Sequence, residues 1–419
     1  MIGEIIAIGD ELTSGRIANT TSSFAARQLF VAGYEILAMQ TIGDTPELIG
    51  EAIKLAVGRV DFVIVTGGLG ATSDDLTNKA VADALNRPST LYPEILDIIR
   101  HHMGDTDGSA SFLEKLAWLP KGAEVLNARA RMAGYLLVYE DTPIFFLPGV
   151  PDQMKELLVE HVLPCLADWT GNDDRHHVRQ RVYRIFGLHE NEINQKLRRL
   201  EETPRSKIGY YPVNSEVHVS LTVLGRSEEE ADTLFASLDR QITTALGDFI
   251  YGLDHNSMAS VVGGLLRAGG RKISVAESCT GGLLSSKITG VAGSSEWFAG
   301  GVVAYSNDLK EDLLGVDNRL LAEHGAVSAP VARAMAAGIA GRSATGISVS
   351  ITGIAGPTGG SAEKPVGTVY IGLSVDGKVT DSLFHFSGNR KQIQETTAQT
   401  ALDLVRRSLL LKAKGENNG

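Results

Sequence analysis

A serine and a cysteine stand next to each other in the segment ISVAESCTGGLLSSKITG, where Ser278 and Cys279 follow an apolar run and precede two glycines. A strand that enters a helix through a tight turn can hold a nucleophile above backbone N–H groups. Lys310 supplies an amine that can act as the base for the Ser278 hydroxyl if burial keeps the amine neutral. The competing interpretation is an ordinary strand–helix turn with Ser278 or Thr280 as the N-cap. In that case Cys279 is a small buried residue and Lys310 a surface lysine.

The backbone amides that follow the serine suit the negative charge that develops during acyl transfer. Thr280, Gly281 and Gly282 lie at the predicted start of a helix, where N–H groups lack helical partners. These three amides are therefore candidate donors to an oxyanion.

The loop TGIAGP, which covers 352–357, is a candidate phosphate site. Its glycines, Gly353 and Gly356, let several N–H groups approach an anion, and Arg390 can add a charge-assisted contact. A turn without a ligand is the alternative for so short a motif. Four polar clusters, AESCTGG, VVAYSNDLK, SITGIAGPTGG and FSGNRKQ, follow predicted strands, and strand ends at one edge of a sheet converge. The sequence therefore predicts one pocket that contains the serine, the lysine and the loop.

Glycine-rich strand ends mark a second candidate site in the N-terminal half. The segments GDELTSG, TGGLGATSDD and LPGVP follow apolar runs, and the last of them contains Gly149. Gly67, Gly68 and Gly70 form a candidate phosphate-binding loop before a helix.

Carboxylates accompany these glycines at the same predicted strand ends. The candidate ligands of Mg²⁺ or another divalent metal that bridges a diphosphate are Asp10, Glu11, Asp44, Asp74 and Asp75. Asp74 and Asp75 also fit the first turn of a helix, where acids interact favourably with the helix dipole. A purely structural role for these two residues stays open.

The elements that must position these residues form three predicted units of α/β and α+β type. Residues 1–170 alternate short apolar strands with amphipathic helices, which indicates a parallel-sheet α/β domain. Residues 171–254, entered through the polar linker WTGNDDRHH, are predicted to form a small α+β module. Residues 255–412 form a second α/β domain, and 413–419 a disordered tail.

The composition excludes several classes of protein. The chain has 419 residues with a formal net charge of −11, and 43% hydrophobic and 21% charged residues are typical of a globular protein. The acidic balance argues against a nucleic-acid partner, and no apolar run is long enough to span a membrane. The first residues predict a strand and not a signal peptide. The two cysteines, Cys165 and Cys279, are far apart, which disfavours a disulfide framework and predicts a cytoplasmic location.

The segments AESCTGG, GSSEWFAGGVVAYSN, SITGIAGPTGG and KPVGTVYIG occur in this order and resemble the C-terminal domain of the CinA family. That family includes nicotinamide-nucleotide amidases. The resemblance implies hydrolysis of the carboxamide of nicotinamide mononucleotide to nicotinate mononucleotide and ammonia, without a cofactor. It also implies that Ser278 is the nucleophile and Lys310 its base. Tyr305 and Thr352 are implied to assist them, and a homodimer is implied for the whole protein.

The segments GDELTSG, VTGGLGATSDDLT and FLPGVPDQM are similar to the N-terminal domain of the same family, which is related in fold to molybdopterin-binding proteins. The resemblance continues through FGLHENEI in the middle module. It implies hydrolysis of ADP-ribose at its pyrophosphate with a divalent metal. Ala71 stands where the family commonly has proline, and Thr21 where it commonly has asparagine, so loss of this activity stays open. The alternatives are a module that binds a nucleotide or molybdopterin without turnover, and a competence-linked interaction protein.

Overall fold

The chain is described here by a computed structural model that covers residues 1–93, 95–97, 114–127, 134–170 and 177–416. Its contacts divide it into two compact units, Met1–Gln180 with Val223–Phe235 and Arg181–Thr222 with Ala236–Gly419. Most of the predicted linker, 171–176, and the end of the predicted tail, 417–419, lie outside the described residues.

The first unit is built on a six-stranded sheet. The sheet contains β1 (Ile2–Ile8), β2 (Glu35–Ile42), β3 (Phe62–Thr66), β6 (Glu124–Val125), β7 (Tyr135–Tyr139) and β8 (Thr142–Leu147), and two further strands, β4 (Ser89–Leu91) and β5 (Trp118–Pro120), lie outside it. Four strands run parallel in the order β2–β1–β3–β8, and antiparallel β7 and β6 extend this sheet, while β4 pairs with β5 separately. The predicted parallel α/β sheet is therefore confirmed.

The hairpin between β7 and β8 was not predicted from the sequence. Its two turn residues, Glu140 and Asp141, both have positive φ, at +49° and +63°. Two-residue hairpin turns of this kind favour asparagine and glycine, so a Glu-Asp pair carries little signal.

Helices cover both faces of the first sheet. They are α1 (Asp10–Thr13), α2 (Thr20–Val31), α3 (Pro46–Val57), α4 (Thr77–Ala84), α5 (Pro151–Leu157) and α6 (Leu163–Thr170), with a π-helical turn at Leu158–Val162 between the last two. Alternate strand residues enter two apolar clusters, with Ile6 and Val63 in one and Ile5 and Ile64 in the other. The strands are buried on both faces, which explains their continuous apolar sequences.

The middle of the chain forms a four-stranded sheet with two helices. Its elements are β9 (His177–Ile185), α7 (Glu190–Leu197), β10 (Ser206–Val213), β11 (Glu216–Gly225), α8 (Glu228–Leu246) and β12 (Ile250–Leu253). The strand order is β10–β11–β9–β12. This arrangement matches the predicted α+β composition of the segment.

The C-terminal part contains a five-stranded sheet. Its elements are α9 (Met258–Ala268), β13 (Ile273–Glu277), α10 (Leu283–Thr289), β14 (Phe298–Val303), α11 (Asn307–Leu314), α12 (Asn318–His324), α13 (Ala329–Ser343), β15 (Ile347–Gly353), β16 (Thr368–Val375), β17 (Lys378–His385) and α14 (Arg390–Glu416). The strand order is β14–β13–β15–β16–β17, with β13, β14 and β15 parallel and β16 antiparallel to both of its neighbours. Strands β13, β14, β15 and β17 therefore end at the same edge, which brings their four polar clusters together.

Helix α14 extends to Glu416, into the range 413–419 that was predicted to be a disordered tail. Among the described residues, every helix is too short or too polar to span a lipid bilayer.

Candidate active site

The predicted serine loop joins the carboxyl end of β13 to α10. Ser278 is 8% exposed, and Cys279 and Thr280 beside it are also buried. The chain then turns through Gly281 and Gly282, whose φ angles are +62° and +97°. Side chains other than glycine rarely adopt this left-handed conformation, so the two glycines make the tight entry into the helix possible.

Glu277, the last residue of β13, fixes the shape of this loop through hydrogen bonds to its backbone. The side chain is fully buried. Its carboxylate accepts hydrogen bonds from the amides of Gly282 at 3.2 Å, Leu284 at 2.9 Å and Ser285 at 2.8 Å, and from the Ser285 hydroxyl at 2.7 Å. It therefore caps α10 and determines where the loop after Ser278 ends. This role was missed in the sequence, although a glutamate that ends a buried apolar strand before two glycines is a usable signal.

Glu277→Gln should lower the free energy of unfolding by about 2–4 kcal/mol, because the new NH2 group faces N–H donors and leaves them unpaired. Chemical denaturation measures this change. Glu296→Gln is the matched control, since the Glu296 side chain is 61% exposed and should change stability by less than about 0.5 kcal/mol. A change below about 1 kcal/mol in Glu277→Gln would contradict the capping role.

Lys310 lies on α11, whose first turn is capped by the Ser306 hydroxyl. The lysine is 1% exposed, so it is a buried residue and not the surface lysine of the competing interpretation. Its Nζ lies 3.2 Å from Ser278 Oγ and 2.9 Å from the Ala304 carbonyl oxygen, with the Tyr305 and Ser306 carbonyl oxygens at 3.4 Å. All of these partners are uncharged.

The surroundings of Lys310 favour the neutral amine. Burial lowers the pKa of its ammonium group from the usual value, because removal from water penalises the charged form. A neutral amine has two N–H groups, which can donate hydrogen bonds to nearby carbonyl oxygens. Its one lone pair can accept a hydrogen bond from the Ser278 hydroxyl. The pair can therefore transfer a proton from oxygen to nitrogen.

Cys279 is poorly suited to act as a nucleophile. Burial raises the pKa of its thiol to about 12, so the sulfur stays protonated at neutral pH. Its side chain belongs to the apolar cluster of the domain. These observations favour Ser278 over its neighbour.

The serine and the lysine open onto a pocket of about 270 Å³. It is lined by Ser278, Cys279, Tyr305, Asn307, Lys310, Ala326, Val327, Thr352, Gly353, Ile354, Ala355, Gly356, Thr358, Gly359 and Arg390. The structure thus brings the four predicted catalytic side chains together with the 352–357 loop.

Two of the predicted helpers are held by hydrogen bonds within the pocket wall. The Thr352 hydroxyl donates to the Ala326 carbonyl oxygen at 2.7 Å. Arg390 donates to the Tyr305 hydroxyl at 2.9 Å and to the Gly356 carbonyl oxygen at 2.8 Å. The guanidinium group therefore joins Tyr305 to the predicted phosphate loop.

The three predicted oxyanion donors differ in their partners. The Gly281 amide donates to the Ser278 carbonyl oxygen at 3.0 Å, and the Gly282 amide donates to Glu277 at 3.2 Å. The turn and the helix cap therefore occupy two of the three amides. Among the described residues, none accepts a hydrogen bond from the Thr280 amide, the third donor of the predicted set.

In the first unit, Asp10 and Asp44 meet at the carboxyl ends of β1 and β2. The Asp10 amide donates to Asp44 Oδ2 at 2.8 Å, and the Asp44 amide donates to Asp10 Oδ1 at 3.1 Å. Burial raises the pKa of Asp44, and the like charges of Asp10, Glu11 and Asp74 raise it further. The excess of negative charge at this edge suits a cation.

The remaining predicted ligands are arranged differently. The Asp75 carboxylate accepts hydrogen bonds from the Thr72 amide at 2.9 Å and from the Thr72 hydroxyl, so it closes its own loop. Across the described part of the chain, no three acidic, histidine or cysteine side chains converge to hold a metal ion. Mg²⁺ commonly uses one or two carboxylates together with water and substrate phosphates, so the Asp10–Asp44 pair fits this ion.

The predicted glycines hold the loops after β1, β3 and β8 close together. A Cβ atom at Gly67 would lie 2.1 Å from the Ile8 carbonyl oxygen, and one at Gly149 would lie 3.4 Å from Gly67 Cα. Gly68 accepts a hydrogen bond from the amide that starts α4, and Gly70 lines a neighbouring pocket of about 420 Å³.

Thr21, one of the two residues that depart from the family pattern, is hydrogen-bonded in this structure. The buried Thr21 hydroxyl donates to Asn19 Oδ1 at 3.2 Å and lies 3.5 Å from the Thr66 hydroxyl at the end of β3. Thr21 therefore helps to attach α2 to this sheet edge.

Three family models match the chain. They describe a probable molybdopterin binding domain over residues 4–168, a damage-inducible protein CinA KH domain over 180–252 and a CinA C-terminal domain over 255–409. A CinA-like protein of Desulfotalea psychrophila is 56% identical over 97% of this chain and 98% of that protein. A putative competence-damage inducible protein of Caldicellulosiruptor bescii is 40% identical over 98% of this chain and the whole of that protein.

A solved structure also matches part of the chain. The competence/damage inducible protein CihA of Agrobacterium tumefaciens is 41% identical, with 36% of this chain and 93% of that chain covered and a TM-score of 0.35.

Proposed function

The chain belongs to the CinA family, and from this premise we propose that its C-terminal domain hydrolyses nicotinamide mononucleotide to nicotinate mononucleotide and ammonia. The observation that carries the proposal is the buried Lys310 amine at 3.2 Å from the Ser278 hydroxyl. Burial lowers the pKa of this amine, and in its neutral form it can accept the serine proton, which makes the hydroxyl oxygen a nucleophile.

The proposed reaction needs only groups of this chain and water. Ser278 Oγ forms a bond to the carboxamide carbon while its proton passes to Lys310 Nζ. The Thr280 amide stabilises the oxyanion of the tetrahedral intermediate. The C–N bond then breaks, and Lys310 returns the proton to the departing nitrogen, which leaves as ammonia. Water then attacks the ester carbon while Lys310 Nζ takes its proton. The bond between that carbon and Ser278 Oγ breaks, Lys310 returns the proton to Oγ, and nicotinate mononucleotide leaves.

The phosphate of the substrate is assigned to the 352–357 loop and Arg390. The guanidinium group already contacts this loop through Gly356, so a phosphate there would meet a fixed positive charge. Incubation of the purified protein with nicotinamide mononucleotide, followed by chromatography and an ammonia assay, tests the proposal. Persistence of the carboxamide would contradict it.

For the N-terminal domain, we propose hydrolysis of ADP-ribose at its pyrophosphate with a divalent metal. The support is the Asp10–Asp44 pair beside the glycine loop after β3. The metal would be held by these two carboxylates and would supply charge stabilisation at the diphosphate. Asp74 adds negative charge nearby, whereas Asp75 contributes through the loop that it closes.

EDTA should abolish cleavage of ADP-ribose and leave ammonia release from nicotinamide mononucleotide unchanged. Asp44→Asn should reduce the metal-dependent rate at least about 100-fold, equivalent to ~3 kcal/mol of transition-state stabilisation. Asp83→Asn is the matched control, since Asp83 is exposed on α4 and pairs only with Lys79 in the described contacts.

Binding of ADP-ribose without its consumption would instead support a binding module. Full activity of Asp44→Asn would show that the metal lies elsewhere.

The arginines of strand β9 are paired with carboxylates, which disfavours a direct role of this strand in binding nucleic acid. Arg179 donates to Asp232 and Glu228, and Arg184 contacts Glu216 at 3.4 Å. Phosphates would have to displace these carboxylates, and the chain carries a net charge of −11. A filter-binding assay at low salt distinguishes the alternatives, since retention of DNA or RNA would favour a competence-linked interaction protein.

A further inference from the structure

Helix α14 contacts the serine loop at a point that the proposed reaction does not yet use. The side-chain amide of Gln394 donates from Nε2 to the Cys279 carbonyl oxygen at 2.7 Å. Gln394 is partly buried and does not belong to the lining of the 270 Å³ pocket. Its contact is therefore with the backbone of the loop and not with the space for the substrate.

This hydrogen bond fixes the direction of a neighbouring amide. The peptide unit between Cys279 and Thr280 is planar, and in a trans peptide the C=O and N–H bonds point in opposite directions. Attachment of the Cys279 oxygen to α14 therefore also sets the direction of the Thr280 N–H. Because the Gly281 and Gly282 amides have other partners, the Thr280 amide is the remaining donor of the predicted oxyanion set.

The loop is thus held at two points of different origin. Glu277 holds the amides at the start of α10, and Gln394 holds the carbonyl in the middle of the loop. Arg390 lies one turn before Gln394, so the same face of α14 carries the guanidinium group of the pocket and the anchor of the loop. The next residue, Glu395, pairs with Lys287 of α10 at 2.6 Å and so ties α14 to the helix that follows the serine loop.

We infer that Gln394 is a positioning residue of the amidase site, which orients the Thr280 amide toward the developing oxyanion through the Cys279 carbonyl. The inference rests on the proposed amidase function. Gln394 touches no reacting atom, so its removal should impair the chemical step and not the binding of the substrate. Loss of one oxyanion donor costs about 100- to 1000-fold in kcat in a serine hydrolase, and misorientation should cost less.

Gln394→Glu is the principal variant, because a carboxylate of the same size cannot donate to the carbonyl oxygen. Gln394→Met removes the donor without adding charge. Gln392→Glu is the matched control, since Gln392 accepts a hydrogen bond from the Asn389 amide through Oε1 and a carboxylate preserves that bond. Both Gln394 variants should lower kcat about 10- to 100-fold with KM within about threefold of wild type, whereas Gln392→Glu should change neither.

A second measurement separates this inference from the amidase proposal. A fluorophosphonate forms a bond to an activated serine oxygen with loss of fluoride, and mass spectrometry shows whether Ser278 is labelled. Slower labelling in the Gln394 variants than in Gln392→Glu supports the inference even if the wild-type protein releases no ammonia, a result that would defeat only the amidase proposal. Equal labelling, or kcat within twofold of wild type in both Gln394 variants, overturns the inference.

Discussion

Ser278→Ala should reduce ammonia release from nicotinamide mononucleotide by roughly 10⁴-fold or more while the protein remains folded. In the proposed reaction the Ser278 hydroxyl oxygen is the atom that attacks the carboxamide, so its removal leaves the site without a nucleophile. Cys279 cannot replace it, because burial raises its thiol pKa to about 12. Initial rates, together with circular dichroism of each variant, measure the effect.

Cys279→Ala is the matched control for this experiment. It alters the adjacent residue and should retain activity within about tenfold of wild type, since the thiol packs in the apolar cluster and its loss leaves a small cavity. The opposite pattern, with an active Ser278→Ala and an inactive Cys279→Ala, would make the protein a thiol amidase.

Lys310→Arg should reduce the amidase rate by about 10³-fold or more, because a guanidinium group stays protonated and cannot accept the serine proton. Lys310→Ala should lose a comparable rate but still bind the substrate through Arg390 and the 352–357 loop. Lys272→Arg, an exposed change in the same domain, should be silent. An active Lys310→Arg would refute the role of Lys310 as base and leave it as a positive charge.

The pH dependence of the wild-type enzyme gives a second test of Lys310. The active form is the neutral amine, so kcat/KM should rise as pH rises through the pKa of Lys310 in the free enzyme. Burial lowers that pKa, so the rise should be centred well below ~10.4, the value of an unperturbed lysine. A rate that falls with increasing pH over this range would contradict the assignment.

The position of the candidate active site at one edge of the C-terminal sheet follows from the sequence to a considerable extent. Parallel strands end at a common edge, so the polar clusters after β13, β14 and β15 could be placed together from their order alone. The same placement puts Ser278 and Lys310 in one predicted pocket. The structure adds the distance between the two side chains and the burial that lowers the pKa of Lys310.

Other features depend on contacts that sequence patterns do not contain. Gln394 lies 115 residues after Cys279 in the chain, and no periodicity in the sequence indicates that these two residues are in contact. The engagement of the Gly281 amide depends on the exact φ values of the turn, which the residue types allow but do not determine. Asp10 and Asp44 follow predicted strands, but their mutual hydrogen bonds and the loop contact of Asp75 with Thr72 are visible only in the structure.

The division of the proposed amidase site between early and late elements of its domain bears on how the protein is made. Synthesis delivers β13 to α11, with Ser278 and Lys310, before α14 with Arg390 and Gln394. A nascent chain that has emerged only as far as β17 therefore lacks the apolar side chains of α14, among them Ile393, Leu402 and Val405, that share one core with this sheet. It also lacks Arg390, which contacts the 352–357 loop, and Gln394, which holds the serine loop. The proposed amidase site is therefore complete only after the last helix of the domain has been synthesised and has docked.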